Sequence, residues 1–128
     1  MKLISIVIFL FASAITFGQN ATNADGRRVG AWVVKGVDSK KPGYSEDAIV
    51  EKGKYENGRK VGVWITYFPY GKAKSEITHV NGRPKGPYKT FYENGKIEEQ
   101  GNRALNKQIG NFKRYYENGQ VSQNFTFN

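Results

Sequence analysis

Residues 81–95 read NGRPKGPYKTFYENG, a strand-forming segment with an Asn-Gly pair at each end. Tyr88, Thr90 and Tyr92 alternate with side chains that point to the opposite face, as they do in a β-strand. Asn-Gly is the strongest short signal for a β-hairpin, because a type I′ turn requires a positive φ at both central residues. The segment therefore predicts a strand between two tight turns, with Glu93 facing Lys96 across a type I′ turn.

This segment is one copy of a 24-residue repeat. Trp64, Tyr88 and Phe112 follow one another at this step, and glycines, cations and other aromatic residues keep the same step. The recurring aromatic residues are Trp32, Trp64, Tyr67, Phe68, Tyr88, Phe91, Tyr92, Phe112, Tyr115 and Tyr116, and the turn glycines are Gly58, Gly71, Gly82, Gly95 and Gly119. Two strands and two turns fill each period. We therefore predict an all-β fold, an elongated antiparallel β-meander of hairpins with about six to eight strands.

The first copy of the repeat is degraded. The step from Trp32 to Trp64 is longer than the regular repeat period, so an insertion of eight positions separates these two copies. Residues 37–45 are rich in turn formers and charge, and they are the expected place of the insertion. We predict a signal peptide at residues 1–18, a degraded first repeat plus insertion at 19–47, and regular β-hairpin repeats at 48–128. No amphipathic helix is expected after the signal peptide.

The beginning of the chain has the three parts of a secretory signal peptide. Lys2 supplies a positive start, residues 3–11 are apolar apart from one serine, and small residues lead to Gly18. The alternative is a membrane anchor, but a bilayer core needs about 20 apolar residues and this run is shorter. The chain is therefore expected to be exported, to the periplasm or the cell exterior. It contains no cysteine, which excludes disulfide bonds and a lipid anchor on cysteine.

The formal net charge of +9 favours an acidic partner such as anionic lipid, surface polysaccharide or nucleic acid. Export makes nucleic acid the least favoured of these partners. The cations that follow the turns recur with the repeat. The candidate edge for an anionic ligand consists of Arg27, Arg59, Lys60, Arg83, Lys85 and Lys107. Two alternatives remain: the cations belong to the repeat pattern without any ligand, or the lysines only keep the β-sheet surface soluble.

Residues able to perform catalysis are scarce. His79 is the single histidine and there is no cysteine, so Cys/His nucleophilic sites and histidine-rich metal sites are excluded. Glu98 and Glu99 are adjacent on a predicted strand, so their carboxylates point to opposite faces and cannot converge on one substrate. We expect no enzymatic activity, no cofactor and no metal.

The repeat resembles the MORN-repeat variant, as found in bacterial proteins of the YwqK-type antitoxin-component family. The resemblance is carried by residues 57–68 and 81–88 and by the Tyr-Glu-Asn-Gly turns at 92–95 and 116–119. It extends over residues 48–127 and, more weakly, over 25–34. It implies an elongated β-meander of hairpins and a scaffold role in protein contact or anionic lipid binding.

The expected function is therefore that of an exported, non-enzymatic protein-binding or scaffold module. Its partner would be a protein or another component of the cell envelope. One alternative is peripheral binding to anionic lipid or glycan through the basic edge. A second alternative is an antitoxin-like neutraliser of a partner protein, a role that an export signal does not favour.

Overall fold

The computed structural model describes residues 18–128. The elements are β1 (Ala21–Thr22), β2 (Arg28–Lys35), α1 (Gly36–Ser39), β3 (Ile49–Glu56), β4 (Arg59–Tyr67), β5 (Ala73–Val80), β6 (Arg83–Phe91), β7 (Ile97–Ala104), β8 (Lys107–Tyr115) and β9 (Val121–Phe127). The strands form one antiparallel sheet in which each strand pairs with its neighbours in the sequence. The predicted all-β meander is confirmed, with nine strands among the described residues because the two-residue β1 adds to the expected number.

The predicted signal peptide, residues 1–18, lies outside the described residues except for Gly18. Within residues 18–128, no helix is long and apolar enough to cross a membrane.

Three two-residue turns join β3 to β4, β5 to β6 and β7 to β8. The first central residues are Asn57, Asn81 and Leu105, with φ angles of 47°, 52° and 50°, and the second central residues also have positive φ. Positive φ at both central positions defines the type I′ turn, whose twist matches that of the flanking strands. The three turns recur once in every repeat period, and they therefore lie at one end of the strands.

The turn at Asn94 differs from the prediction. The N–H of Gly95 donates to the carbonyl of Tyr92 and the N–H of Tyr92 donates to the carbonyl of Lys96, both at 2.9 Å. This pattern is a three-residue loop closed by Tyr92 and Lys96, so the predicted type I′ turn and its Glu93–Lys96 pair are wrong. The side-chain oxygen of Asn94 accepts the N–H of Lys96 at 2.9 Å, which stabilises the longer loop. The same loop recurs one repeat period earlier and one period later in the chain.

The core is a row of aromatic rings on one face of the sheet, here named the aromatic face. Trp64, Tyr88 and Phe112 are only 2%, 4% and 4% exposed. Two of the rings lie over glycines of a neighbouring strand, because a Cβ on Gly53 would overlap the Trp64 indole and one on Gly101 would lie 3.1 Å from the Tyr88 ring. The missing side chains let the rings pack against backbone, so a single-layered sheet can bury them.

The other recurring aromatic residues are less buried. The half-buried residues are Trp32, Tyr67, Phe68, Phe91, Tyr92 and Tyr115, and the exposed one is Tyr116. Tyr55, which is outside that set, links two copies, since its ring makes edge contacts with Trp32 at 5.4 Å and with Trp64 at 4.9 Å between centroids. Aromatic pairs of this geometry contribute about 0.5–1.5 kcal/mol beyond area burial. The degraded first copy is thereby packed onto the regular copies.

The segment between β2 and β3 contains α1, the one helix in the described residues. Its four residues bury no side chain, so it is not an amphipathic helix. The segment is closed by backbone hydrogen bonds from Gly36 to Ala48 at 2.8 Å and from Val37 to Glu46 at 3.2 Å. These bonds bring the end of β2 back beside the start of β3, and the insertion protrudes from the end of the sheet that carries the three-residue loops.

Candidate binding surfaces

Four cations lie at the end of the sheet that carries the type I′ turns. Arg59, Arg83 and Lys107 are the first residues of β4, β6 and β8, and Arg27 directly precedes β2. All four side chains are exposed. We name this set the cationic edge. The strand register therefore brings these predicted residues together along one edge of the sheet.

Two arginines of the cationic edge are placed against the turn of the following copy. The side chain of Arg27 packs over Gly58, where a Cβ would lie 3.5 Å from it, and Arg59 packs over Gly82 in the same way. The guanidinium of Arg59 also donates to the side-chain oxygen of Asn81 at 3.0 Å. Because the turn glycines have no side chains, the arginine side chains can pack closely against them.

Three successive copies form a groove at this edge. Its volume is about 330 Å³, and its lining includes Arg59, Arg83 and Lys85 together with the exposed Leu105. No carboxylate of the described residues lines it. The groove therefore offers three cations and an exposed leucine to a ligand.

Lys60 does not belong with this set. Its ammonium nitrogen lies 3.4 Å from a carboxylate oxygen of Glu51 and 4.3 Å from the centre of the Trp64 ring. Adjacent strand residues point to opposite faces, so Lys60 turns onto the aromatic face while Arg59 stays at the edge. Lys60 therefore lies apart from the cationic edge with its charge paired, and its role in binding an anionic ligand stays a prediction.

A polar network covers the aromatic face near Tyr88. The Tyr88 hydroxyl donates to Glu99 at 2.9 Å and accepts from the amide of Gln108 at 2.7 Å. Arg114 donates to the other oxygen of Glu99 at 2.7 Å. Burial of the phenol, followed by its bond to Glu99, raises the pKa of Tyr88 to about 12. Both oxygens of Glu99 are engaged, so this carboxylate serves structure rather than proton transfer.

His79 also has a structural environment. Its Nδ1 lies 3.0 Å from the carbonyl oxygen of Ile77, and the ring is half-buried. Burial lowers the pKa of His79 below its ordinary value, so the imidazole is neutral at pH 7. Among residues 18–128, no group of histidine, aspartate and glutamate side chains is placed to hold a metal ion.

A second groove lies near the opposite end of the strands, at the turn that contains Pro69 and Tyr70. Its volume is about 510 Å³, and it is lined mainly by Ile49, Tyr67, Pro69 and Tyr70, with Lys52 as its one cation among the described residues. We name it the Tyr70 groove. The ring of Tyr70 is 58% exposed, and it stacks on Phe68 with 5.8 Å between centroids and 8° between planes.

Sequence reasoning missed the Tyr70 groove, although the repeat contained a signal. The two later copies carry Glu-Asn at the turn positions, at residues 93–94 and 117–118, whereas this copy carries Pro69-Tyr70. Apart from its contact with Phe68, the Tyr70 ring at the turn tip is exposed and contributes little to the core. The departure from the repeat therefore marks a surface feature rather than a core feature.

Two segments of the chain, residues 84–103 and 108–128, match the family model of the MORN repeat variant. The first covers most of β6 and β7, and the second covers most of β8 and all of β9. Each match is therefore one hairpin with its three-residue loop. Comparisons with curated proteins and with solved structures found no match.

Proposed function

We propose that this chain is an exported, non-enzymatic repeat protein that acts as a protein-binding or scaffold module. MORN repeats generally bind proteins or membranes, which supports a binding role. The Tyr70 groove is the observation that favours a protein partner over a membrane. An antitoxin-like role, in which the bound protein is a toxin, would be one form of the same function.

The Tyr70 groove has the properties of a protein contact. Tyrosine is enriched in binding interfaces because it offers a large apolar ring and a polar tip. Stacking on Phe68 restricts the Tyr70 ring before binding, so less conformational entropy is lost when a partner is bound. Ile49 is 37% exposed and extends the apolar surface of the groove. The groove therefore suits an apolar side chain of a partner protein.

Capture from the cell-envelope fraction tests this function. The wild type is compared with Tyr70→Ser and with Tyr116→Ser, a matched control because Tyr116 is a 57% exposed tyrosine on another turn. We expect the same envelope protein to be recovered with the wild type and with Tyr116→Ser and to be lost with Tyr70→Ser. Recovery of the bare chain alone, or equal recovery with both variants, would contradict the proposal.

The groove at the cationic edge supports a second candidate function, peripheral binding to anionic lipid. Three cations of two neighbouring copies converge on it, and Leu105 beside them is 85% exposed. Exposed cations of this kind attract an anionic membrane surface, and the attraction falls with salt.

Vesicles of phosphatidylglycerol test the second function. The triple variant Arg59→Gln, Arg83→Gln, Lys107→Gln should lose binding, and wild-type binding should weaken steeply as salt is added. The control Lys52→Gln, Lys54→Gln, Lys74→Gln removes the same charge from other parts of the sheet and should still bind. Binding that does not respond to salt, or equal loss in both variants, would contradict this role.

A further inference from the structure

The face of the sheet opposite the aromatic face, here named the outer face, carries a straight row of polar side chains on β6 to β9. Lys89 pairs with Gln100, Gln100 with Lys113, and Lys113 with Asn124 as direct cross-strand partners. Neighbouring strands are about 4.8 Å apart, so Lys89 and Lys113 are anchored about 10 Å apart. The row runs perpendicular to the strands, in the direction in which the repeat propagates.

A shallow groove accompanies this row. Its volume is about 240 Å³, and Tyr88 and Gly101 contribute to its lining. The other residues that line it are Pro87, Lys89, Gln100, Asn102, Asn111 and Lys113. Among the described residues, the lining contains two cations, three amides and one apolar ring, and no carboxylate.

The cations on the two faces of these strands have different electrostatic partners. On the aromatic face, Arg114 is paired with Glu99 at 2.7 Å and Arg103 lies 4.9 Å from the centre of the Tyr88 ring. On the outer face, neither Lys89 nor Lys113 forms an ion pair with any residue of the described part of the chain. Glu76 is the cross-strand neighbour of Lys89 on the side away from the groove. The positive charge within the groove is thus not neutralised by its lining.

The amides of the groove can take part in further hydrogen bonds. Gln100 donates to the Tyr115 hydroxyl at 2.8 Å, which fixes its side chain. The side chains of Asn102 and Asn111 make no hydrogen bond within residues 18–128. An amide offers both donors and an acceptor, so it can bind a hydroxyl group in either role.

We propose that this groove binds a linear acidic polysaccharide. The carboxylates of the polymer lie on Lys89 and Lys113, its hydroxyl groups bond to Asn102 and Asn111, and one sugar ring rests on Pro87. A polymer with one carboxylate per disaccharide presents its charges at a spacing comparable to that of the two lysines. The site is separate from the Tyr70 groove and from the cationic edge, so it adds a ligand to those of the proposed function.

Titration calorimetry of the full chain with hyaluronan oligosaccharides, at low salt, tests this site. The variant Lys89→Gln, Lys113→Gln should bind about tenfold more weakly or worse. The matched control Lys40→Gln, Lys41→Gln removes the same charge from the exposed insertion between β2 and β3, outside all the proposed binding surfaces, and should change affinity less than about twofold. The variant Asn102→Ala, Asn111→Ala should weaken binding at unchanged net charge.

Three results would overturn the proposal. Equal weakening in the two charge-removing variants would show attraction to net charge alone. Equally tight binding of poly-L-glutamate would show an acidic peptide as the better occupant. A lack of binding to both hyaluronan and polygalacturonate would remove the ligand class altogether. The Tyr70→Ser variant leaves the groove between Lys89 and Lys113 intact. Its binding to the polysaccharide should therefore be unchanged, even if the protein-binding role of the Tyr70 groove fails.

Discussion

The hydroxyl of Tyr44 donates a hydrogen bond of 2.6 Å to the carbonyl oxygen of Tyr67. Tyr92 makes the same kind of bond to Tyr115 at 2.5 Å, across the same sequence separation. Tyr44 lies two full repeat periods before Tyr92. The repeat phase is therefore restored at Tyr44, and the insertion of eight positions lies between Trp32 and Tyr44.

Removing the Tyr44 hydroxyl should loosen the insertion. We expect Tyr44→Phe to lower the free energy of unfolding by about 0.5–1.5 kcal/mol, because one hydrogen bond is lost without a change in packing. Urea denaturation measures this difference. Tyr116→Phe is the control, since the Tyr116 hydroxyl makes no hydrogen bond within residues 18–128. Equal stability of the two variants would show that the Tyr44 bond does not hold the insertion.

The glycines beneath the aromatic rings should not tolerate a side chain. We expect Gly53→Ala to cost about 3 kcal/mol or more, because the Trp64 indole occupies the position of the added methyl group. Gly101→Ala should cost less, about 1 kcal/mol, since its nearest Tyr88 atom would lie at 3.1 Å. Thermal or urea unfolding shows which of the two substitutions destabilises the protein more. Partial rescue of Gly53→Ala by Trp64→Leu would identify the ring as the cause, and the reverse order would contradict the packing.

The turn at Leu105 is strained and should be improvable. Leu105 adopts a φ of 50°, a left-handed conformation that costs a residue with a branched side chain about 1–2 kcal/mol. Replacing Leu105-Asn106 by Asn-Gly, as in the other two type I′ turns, should stabilise the fold by about 1–2 kcal/mol. Val121→Asn is the control for removing an exposed apolar residue and should bring no gain. A stability gain of similar size in the control would show that exposure, not backbone strain, matters at Leu105.

Much of the fold follows from the sequence because the repeat fixes the strands. The Asn-Gly pairs and the regular repeat step predict the meander, and local backbone preferences agree with it. The Asn-Gly pair at Asn94 does not predict its own turn correctly, because the Asn side chain can also cap a three-residue loop, which the dipeptide alone does not reveal. The role of Gly53 was missed because a glycine within a strand shows its purpose only when the ring above it is known.

The network around Tyr88 should be sensitive to alkaline pH. The pKa of Tyr88 is raised to about 12, above its ordinary value of 10.0, so folding favours the protonated phenol. This stabilisation is complete below pH 10 and is lost as the pH rises towards 12. The free energy of unfolding of the wild type should therefore fall relative to that of Tyr88→Phe above pH 10. Unfolding measured at pH 8, 9, 10 and 11 tests this, and a constant difference would contradict it.

The candidate sites were predicted less completely than the fold. The cations of Arg59, Arg83 and Lys107 were placed correctly on one edge because the repeat register alone determines their position. Lys60 follows Arg59 directly in the sequence, yet its charge is paired on the aromatic face, since strand alternation separates neighbours. The partners of a side chain across three strands depend on register and twist, which composition and spacing do not specify.

We propose that the chain is a binding module whose protein contact is the Tyr70 groove. The most direct measurement is the dissociation constant of the envelope protein captured by the wild type, compared among the wild type, Tyr70→Ser and Tyr116→Ser. We predict that Tyr70→Ser weakens binding about tenfold or more, as for a central interface residue, and that Tyr116→Ser changes it less than about twofold. Equal affinities of Tyr70→Ser and the wild type would contradict the claim.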